Sequence, residues 1–238
     1  MPVRLVELCI RSTRMRIASG RPIRAASTKP FWAFRICPIL DRFQSGRAAT
    51  FLPTNYWEDV FHMDDRTFNI PASGYIDALK RCGVDYFVTV PDLVQLALHS
   101  RIEDGVEGIK LVRCSNEDQA VCASAGLRVA GKRPVTVVQN QGLYACVNTI
   151  RAVGLDASLP IVFLVGQFGR EFSNFGKDPA LSKRNTVKLL EPVLNALGVR
   201  FWRLEDDSDL AKIDEAFAYA DRESRCAVLI VGAPTGWN

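Results

Sequence analysis

The chain has 238 residues, 48% of them apolar and 24% charged, the balance of one well-cored soluble domain with additional chain attached. Its formal charge of +4 is unevenly placed: residues 1–55 carry ten Lys or Arg against two acids, whereas the remainder carries twenty against twenty-four, so the folded part offers no nucleic-acid footprint. No run approaches the ~20 apolar residues needed to cross a bilayer, and two histidines with seven cysteines in no C-x-x-C spacing exclude zinc, histidine-rich and disulfide-framework sites, which suits a reducing, cytoplasmic setting.

Residues 1–62 lack regular periodicity, are rich in Arg, Ser and Ala, and are interrupted by Pro2, Pro22, Pro30, Pro38 and Pro53. They read as a disordered basic extension, a transit-like segment, or upstream sequence added by a start codon placed too early, with Met63 as the later start. The domain is expected over residues 63–238.

From Pro71 the pattern is regular. A helix is expected over Ala72–Arg81, then a strand at Tyr86–Val90. Pro91-Asp92 reads as the opening of a helix reaching Arg101, with Pro91 as a first-turn proline. A second strand at Ile109–Arg113 leads into an Ala-rich helix, Asn116–Ala130, stopped by Gly131. A third strand, Val135–Gln139, is followed by a helix at about Leu143–Val153. A fourth, Ile161–Val165, is followed by a polar loop over Gly166–Asp178. The remaining pattern gives a helix at Thr186–Leu197, a strand at Val199–Arg203, a helix at Asp209–Ala220 and a strand at Ala227–Val231.

Strands alternating with helices at this spacing imply βα units. The expected fold is α/β, a doubly wound six-stranded parallel sheet with helices on both faces. Ligands of such sheets bind beyond the carboxyl ends of the strands. That nominates the loops at Pro91, Ser115–Glu117, Asn140–Gly142 and Gly166–Asp178. None carries G-x-G-x-x-G, G-x-x-x-x-G-K-[ST] or G-x-S-x-G, which removes dinucleotide, P-loop and hydrolase chemistry.

Taken singly, the residues in these loops have ordinary readings. Glu117 suits a first helical turn through the helix dipole, Gly142 suits a turn, and Asn140 a turn or cap. Taken together, Val-Thr-Val-Pro-Asp (88–92), Cys-Ser-Asn-Glu-Asp-Gln-Ala-Val-Cys-Ala-Ser-Ala-Gly (114–126) and Gln-Asn-Gln-Gly-Leu (139–143) resemble the pyrimidine-binding domain of thiamine diphosphate enzymes. Within that superfamily they are most similar to the sulfopyruvate decarboxylase alpha subunit and the matching part of phosphonopyruvate decarboxylase.

The resemblance implies that Glu117 is the catalytic glutamate, set against the cofactor pyrimidine in a site shielded from water. It implies cofactor contacts from Pro91, Asn116, Glu117, Asn140, Gln141, Gly142 and Leu143. Asn140, Gln141 and Arg170 are candidates for the substrate, a small 2-oxo acid with a second anionic group; Arg170 is equally readable as a solvated loop arginine. The family's turn continues with small residues, where this chain has Tyr144, which puts substrate and activity in question.

The sequence contains no Gly-Asp-Gly, the family's diphosphate and Mg²⁺ motif. The resemblance therefore implies a hetero-oligomer, in which a beta subunit carries that motif and holds the metal while this chain ligates none. The expected function is the alpha subunit of a thiamine-diphosphate-dependent 2-oxo-acid decarboxylase, active only with its partner. A second reading is a non-catalytic subunit of the same fold that binds or regulates a partner enzyme. A third is a different thiamine enzyme, of acetolactate or benzoylformate type.

Overall fold

The computed structural model describes residues 68–237; the expectation for residues 1–62 lies outside the described residues. Six strands, β1 (Tyr86–Thr89), β2 (Lys110–Arg113), β3 (Pro134–Gln139), β4 (Val162–Gly166), β5 (Arg200–Leu204) and β6 (Ala227–Val231), form one sheet in the order β2-β1-β3-β4-β6-β5. Every pairing is parallel. The chain reverses its direction of travel twice, between β1 and β3 and again between β4 and β6. Such reversals mark crevices at the carboxyl edge; at the first, the connections leaving β1 and β3 run on opposite faces of the sheet.

The strands are short, continuously apolar and sorted by a period of two. Along β4, Val162 and Leu164 enter one core while Phe163 and Val165 enter the other. The first core receives Tyr75, Ile76 and Leu79 of α1 (Ala72–Arg81), Leu98 and Ile102 of α2 (Leu96–Glu103), and Ile213 and Phe217 of α8 (Ala211–Glu223). The second receives Ala120 and Val121 of α3 (Glu117–Val129), Leu143 of α4 (Asn140–Ala145), Ile150 of α5 (Val147–Ile150), and Leu190 and Leu194 of α7 (Leu190–Ala196), with α6 (Asn185–Lys188) just before it. Each fully buried Phe, Leu, Ile or Val stabilises the fold by about 1.5–3 kcal/mol. Burial on both faces accounts for unbroken runs such as Ala-Val-Leu-Ile-Val in β6, whose five residues are all buried.

Two segments depart from the sequence reading. Pro91 does not open a helix: α2 begins at Leu96, and Pro91 is exposed in the connection before it. The cause is Asp92, whose Oδ1 accepts the Val94 N–H at 2.9 Å and Oδ2 the Gln95 side chain at 2.8 Å. This local turn replaces a first helical turn. After β3 the helix starts at once, at Asn140 rather than Leu143, and breaks at Cys146. It continues through a π-helical turn at Arg151–Asp156, where a Cβ on Gly154 would stand 2.7 Å from the Cys226 sulfur. Among the described residues no helix is long and apolar enough to cross a membrane.

Candidate functional site

The loops nominated from the sequence emerge at one edge of the sheet, because each follows the carboxyl end of a parallel strand. Glu117 is the first residue of α3. Asn116 caps that helix, its Oδ1 accepting the Gln119 N–H at 2.9 Å, and the Gln119 side chain accepts the Ser115 N–H at 3.0 Å. The reciprocal pair fixes the angle at which α3 leaves β2. Small residues then let the helix approach the sheet, with Ser124 fully buried and accepting the Thr136 hydroxyl at 2.7 Å.

The result is a direct contact between two sequence motifs. The Glu117 side chain lies against the α-carbon of Gly142, where any Cβ would overlap its Cγ, Cδ and Oε1. Gly142 sits in α4 and is not among the residues with positive φ, so it is required by close approach and not as a turn glycine. Glu117 is half-exposed, and no described residue donates a hydrogen bond to its carboxyl. Its neighbour Asp118 accepts a hydrogen bond from Thr149. Beneath them, burial and then the charges of Asp118 and Glu117 push the Cys146 thiol up to about 12, which leaves it an inert core group.

The other sequence candidates are used differently. Asn140 is fully buried; its Nδ2 donates to the Phe168 and Thr186 carbonyls at 3.1 and 2.9 Å, and its Oδ1 accepts the Gln141 N–H. Its polar atoms are thus engaged inside the chain. Gln141 is exposed and Leu143 is core. Tyr144 donates its hydroxyl to the same Thr186 carbonyl at 2.7 Å, and burial pushes the phenol up to about 12. Asn140 and Tyr144 therefore strap the segment before α7 onto the β3 turn.

Arg170 is neither a solvated loop arginine nor free to receive a substrate anion. Its side chain is 1% exposed, and all five N–H groups are engaged. Nε donates to Asn174 Oδ1, Nη1 to Gln167 and to the Glu205 carboxylate, and Nη2 to the carbonyls of Asn174 and Lys177. Nearby is a hollow of about 490 Å³ lined by Lys177, Asp178, Arg203, Glu205, Asp209 and Lys212, among others. Arg203 pairs with Asp178 and Glu191, Lys212 with Asp209 and Glu205 with Arg170, while Lys177 donates to the Ser173 carbonyl. Glu117 does not line it. Among the described residues no cluster of His, Cys, Asp and Glu is placed to hold a metal.

Two residues that the sequence reading passed over lie between these regions. Asp92 is 2% exposed, and burial pushes its carboxyl up to about 6, although hydrogen bonds from the Gln95 side chain and the Val94 N–H, and the nearby Gln139 side chain and Gly166 amide, act in the opposite sense. His99 is 5% exposed, its Nε2 accepting the Asp92 N–H at 3.3 Å and its ring standing edge-on to Phe87. Burial, aided by the Arg113 charge, pulls its imidazole down to about 4. Asp92 ends the Val-Thr-Val-Pro-Asp run, where it reads only as part of a helix start, and His99 sits in no motif; the three-residue offset from Asp92 to Gln95 is the available signal.

Residues 72–189 match the family described as thiamine pyrophosphate enzyme, N-terminal TPP binding domain. A sulfopyruvate decarboxylase of Methanosarcina acetivorans is 23% identical over 169 residues, 71% of this chain and 41% of that protein. The sulfopyruvate decarboxylase subunit alpha of Methanothermobacter thermautotrophicus is 30% identical over 93 residues, 39% of this chain and 56% of that protein. The chain thus spans about half the length of these curated relatives. Residues 72–189, which contain the Glu117–Gly142 contact and four of the six strands, belong to the N-terminal TPP binding domain family of thiamine pyrophosphate enzymes.

Proposed function

We propose that this chain is the alpha subunit of a thiamine-diphosphate-dependent carboxy-lyase acting on a small 2-oxo acid of the sulfopyruvate or phosphonopyruvate type, with Glu117 as its catalytic glutamate. The observation that carries the reading is the Glu117 carboxyl itself, resting on the bare α-carbon of Gly142 with no hydrogen bond from the described chain. A carboxyl without an internal partner, at the carboxyl edge of a parallel sheet, is available to an incoming ring nitrogen. Those features fit the aminopyrimidine end of the cofactor, which when bound supplies the electron sink for decarboxylation.

In this mechanism Glu117 holds or releases a proton at the pyrimidine ring nitrogen. Gly142 supports that carboxyl from below, Asn116 orients the helix that carries it, and Leu143 anchors the turn in the core. Pro91 and Gln141 are exposed on the same edge and are offered as cofactor contacts; Gln141 is also the remaining candidate for the substrate. Asn140 acts through the turn it braces, since its side chain is internally bonded.

The half-exposed state of Glu117 supports a site completed by a second polypeptide. With no Gly-Asp-Gly in the sequence, the diphosphate and Mg²⁺ are assigned to a beta subunit that carries that motif. The subunit naming of one relative supports this division. The free cysteines among the described residues support a reducing, cytoplasmic setting. The test is reconstitution. This chain, a Gly-Asp-Gly partner, thiamine diphosphate and Mg²⁺ should together release carbon dioxide from sulfopyruvate or phosphonopyruvate, while this chain with cofactor and metal alone should not. Robust decarboxylation without the partner contradicts the two-subunit reading.

A further inference from the structure

Asp92 is a buried carboxyl that the proposed mechanism does not use, and its position is unusual. β3 lies between β1 and β4 in the sheet, yet the Asp92 side chain, which follows β1, reaches across the end of β3 to β4. There it lies against Gly166 so closely that a Cβ would overlap its Oδ2. Gln95, held by the Asp92 carboxylate, also donates to the Leu164 carbonyl of β4 at 3.3 Å. The carboxylate accepts the Val94 N–H of its own turn and the Gln95 side chain, and it lies against Gly166 of β4, whose partner in the β3–β4 pairing is Gln139 at the end of β3. One group thus seats the turn after β1 on β4 at the position that pairs with the end of β3.

Gln139 is followed directly by Asn140, Gln141 and Gly142, and Gly142 is the surface on which Glu117 rests. A shift at the end of β3 is therefore transmitted through one short helical turn to the support of the catalytic carboxyl. We propose that Asp92 is a positioning residue of the Glu117 site: its carboxylate fixes the end of β3 so that Gly142 lies beneath the Glu117 carboxyl. The proposal rests on the role assigned to Glu117 above, but the coupling from Asp92 to Gly142 is a property of this chain alone.

The groups around Asp92 define how the coupling responds to pH. From its own turn it meets Val94 and Gln95, through its own N–H the His99 imidazole of α2, and from β4 Gly166; Gln139 of β3 also acts to hold its pKa down. Arg113 of β2 acts on His99, and among the described residues Asp92 forms no ion pair. The carboxyl is therefore poised to take a proton near pH 6, well above the range where His99 titrates. Protonation converts an oxygen that accepts N–H donors into a hydroxyl that competes with them, and the hold on Val94 and Gln95 and the seat against Gly166 loosen.

The test uses the full 238-residue chain with no cofactor, partner or substrate, so its outcome is separate from whether the assembled enzyme decarboxylates anything. In a Glu117→Gln background, which removes that carboxyl as a source of titration, the Asp92 side-chain carbon and the Gly142 amide are followed by NMR from pH 4.5 to 8. Both should move with one shared midpoint, between pH 5 and 7. Adding Asp92→Asn should abolish the Gly142 transition, because the amide presents a donor where the carboxylate accepted. A Gly142 amide that stays still while Asp92 titrates overturns the proposal, as does a Gly142 transition that survives Asp92→Asn. Should that variant fail to fold, coincidence or divergence of the two midpoints in the Glu117→Gln chain decides the matter.

Discussion

Two glutamates at the same edge of the sheet rest against glycines, and their environments differ completely. Glu205, after β5, presses on Gly232, but its carboxylate is held by Arg170 and by the Gly176 N–H. Arg170 is in turn engaged through every N–H it has. Glu117, after β2, presses on Gly142 and receives no hydrogen bond from the described residues. The crevice between β4 and β6 has closed its charges on themselves and serves the fold. The one between β1 and β3 has left a carboxyl available. Contact with a glycine is shared by both, so it is the unmet hydrogen-bonding capacity that distinguishes a site from a brace.

The contrast can be broken by substitution. Arg170→Ala leaves the Glu205 carboxylate, 14% exposed, without its cation and should cost about 3–5 kcal/mol in urea unfolding; a loss under about 1 kcal/mol would mean that the second crevice is not a closed brace.

Asp92 and His99 should respond to pH in opposite senses. The folded Asp92 carboxyl titrates near 6 against an ordinary value of 3.8, so the folded chain holds the extra proton between these limits and stability falls as pH rises through them. The folded His99 imidazole titrates near 4 against 6.5, so the unfolded chain holds the extra proton and stability rises over a similar range. Each contribution is on the order of 3 kcal/mol, and in the wild-type chain they largely cancel. Asp92→Asn should therefore unmask a stability that rises from pH 4 to 6.5, and His99→Gln one that falls from pH 4 to 6. Parallel pH dependence in the two variants, read from denaturant midpoints, would contradict the assigned environments.

The smallest effect on the fold should come from Gly142→Ala. A methyl there collides with the end of a half-exposed side chain that can swing outward, so stability should change little while turnover of the reconstituted complex falls about 10²-fold. Gly232→Ala collides with Arg170, which cannot yield, and should cost about 1–3 kcal/mol of stability. If both variants lose stability and neither loses turnover disproportionately, the two crevices are alike.

Much of the fold was legible because its signal is local. The β6 run Ala227–Val231 was placed without error, and the other strands within a residue at either end, since double burial makes their apolar runs continuous. Glu117, Gly142 and Asn140 were readable only as parts of a motif pattern, and Asn116, read as the first residue of the helix, proves to be its cap. Alone, each of the three had an ordinary explanation, and the contact between Glu117 and Gly142 depends on α3 lying close to the sheet. The remainder was hidden because its partners are distant in the chain. Nothing near Arg170 announces Glu205, thirty-five positions away. Pro91 looked like a helix start because the turn built by Asp92 depends on a side chain, and the burial of Asp92 depends on Gly166. Tyr144, which seemed to obstruct the site, is tied instead to the Thr186 carbonyl.

The central claim is that the Glu117 carboxyl acts on the cofactor pyrimidine, and exchange of the thiazolium C2 proton for deuterium reads it most directly. In the assembled complex, Glu117→Gln preserves volume and should alter chain stability by no more than the ~0.3–1 kcal/mol of a helix-terminus charge. The account predicts that exchange slows by orders of magnitude in that variant, in parallel with turnover, while the complex still assembles. An exchange rate equal to wild type in an assembled Glu117→Gln complex would contradict it.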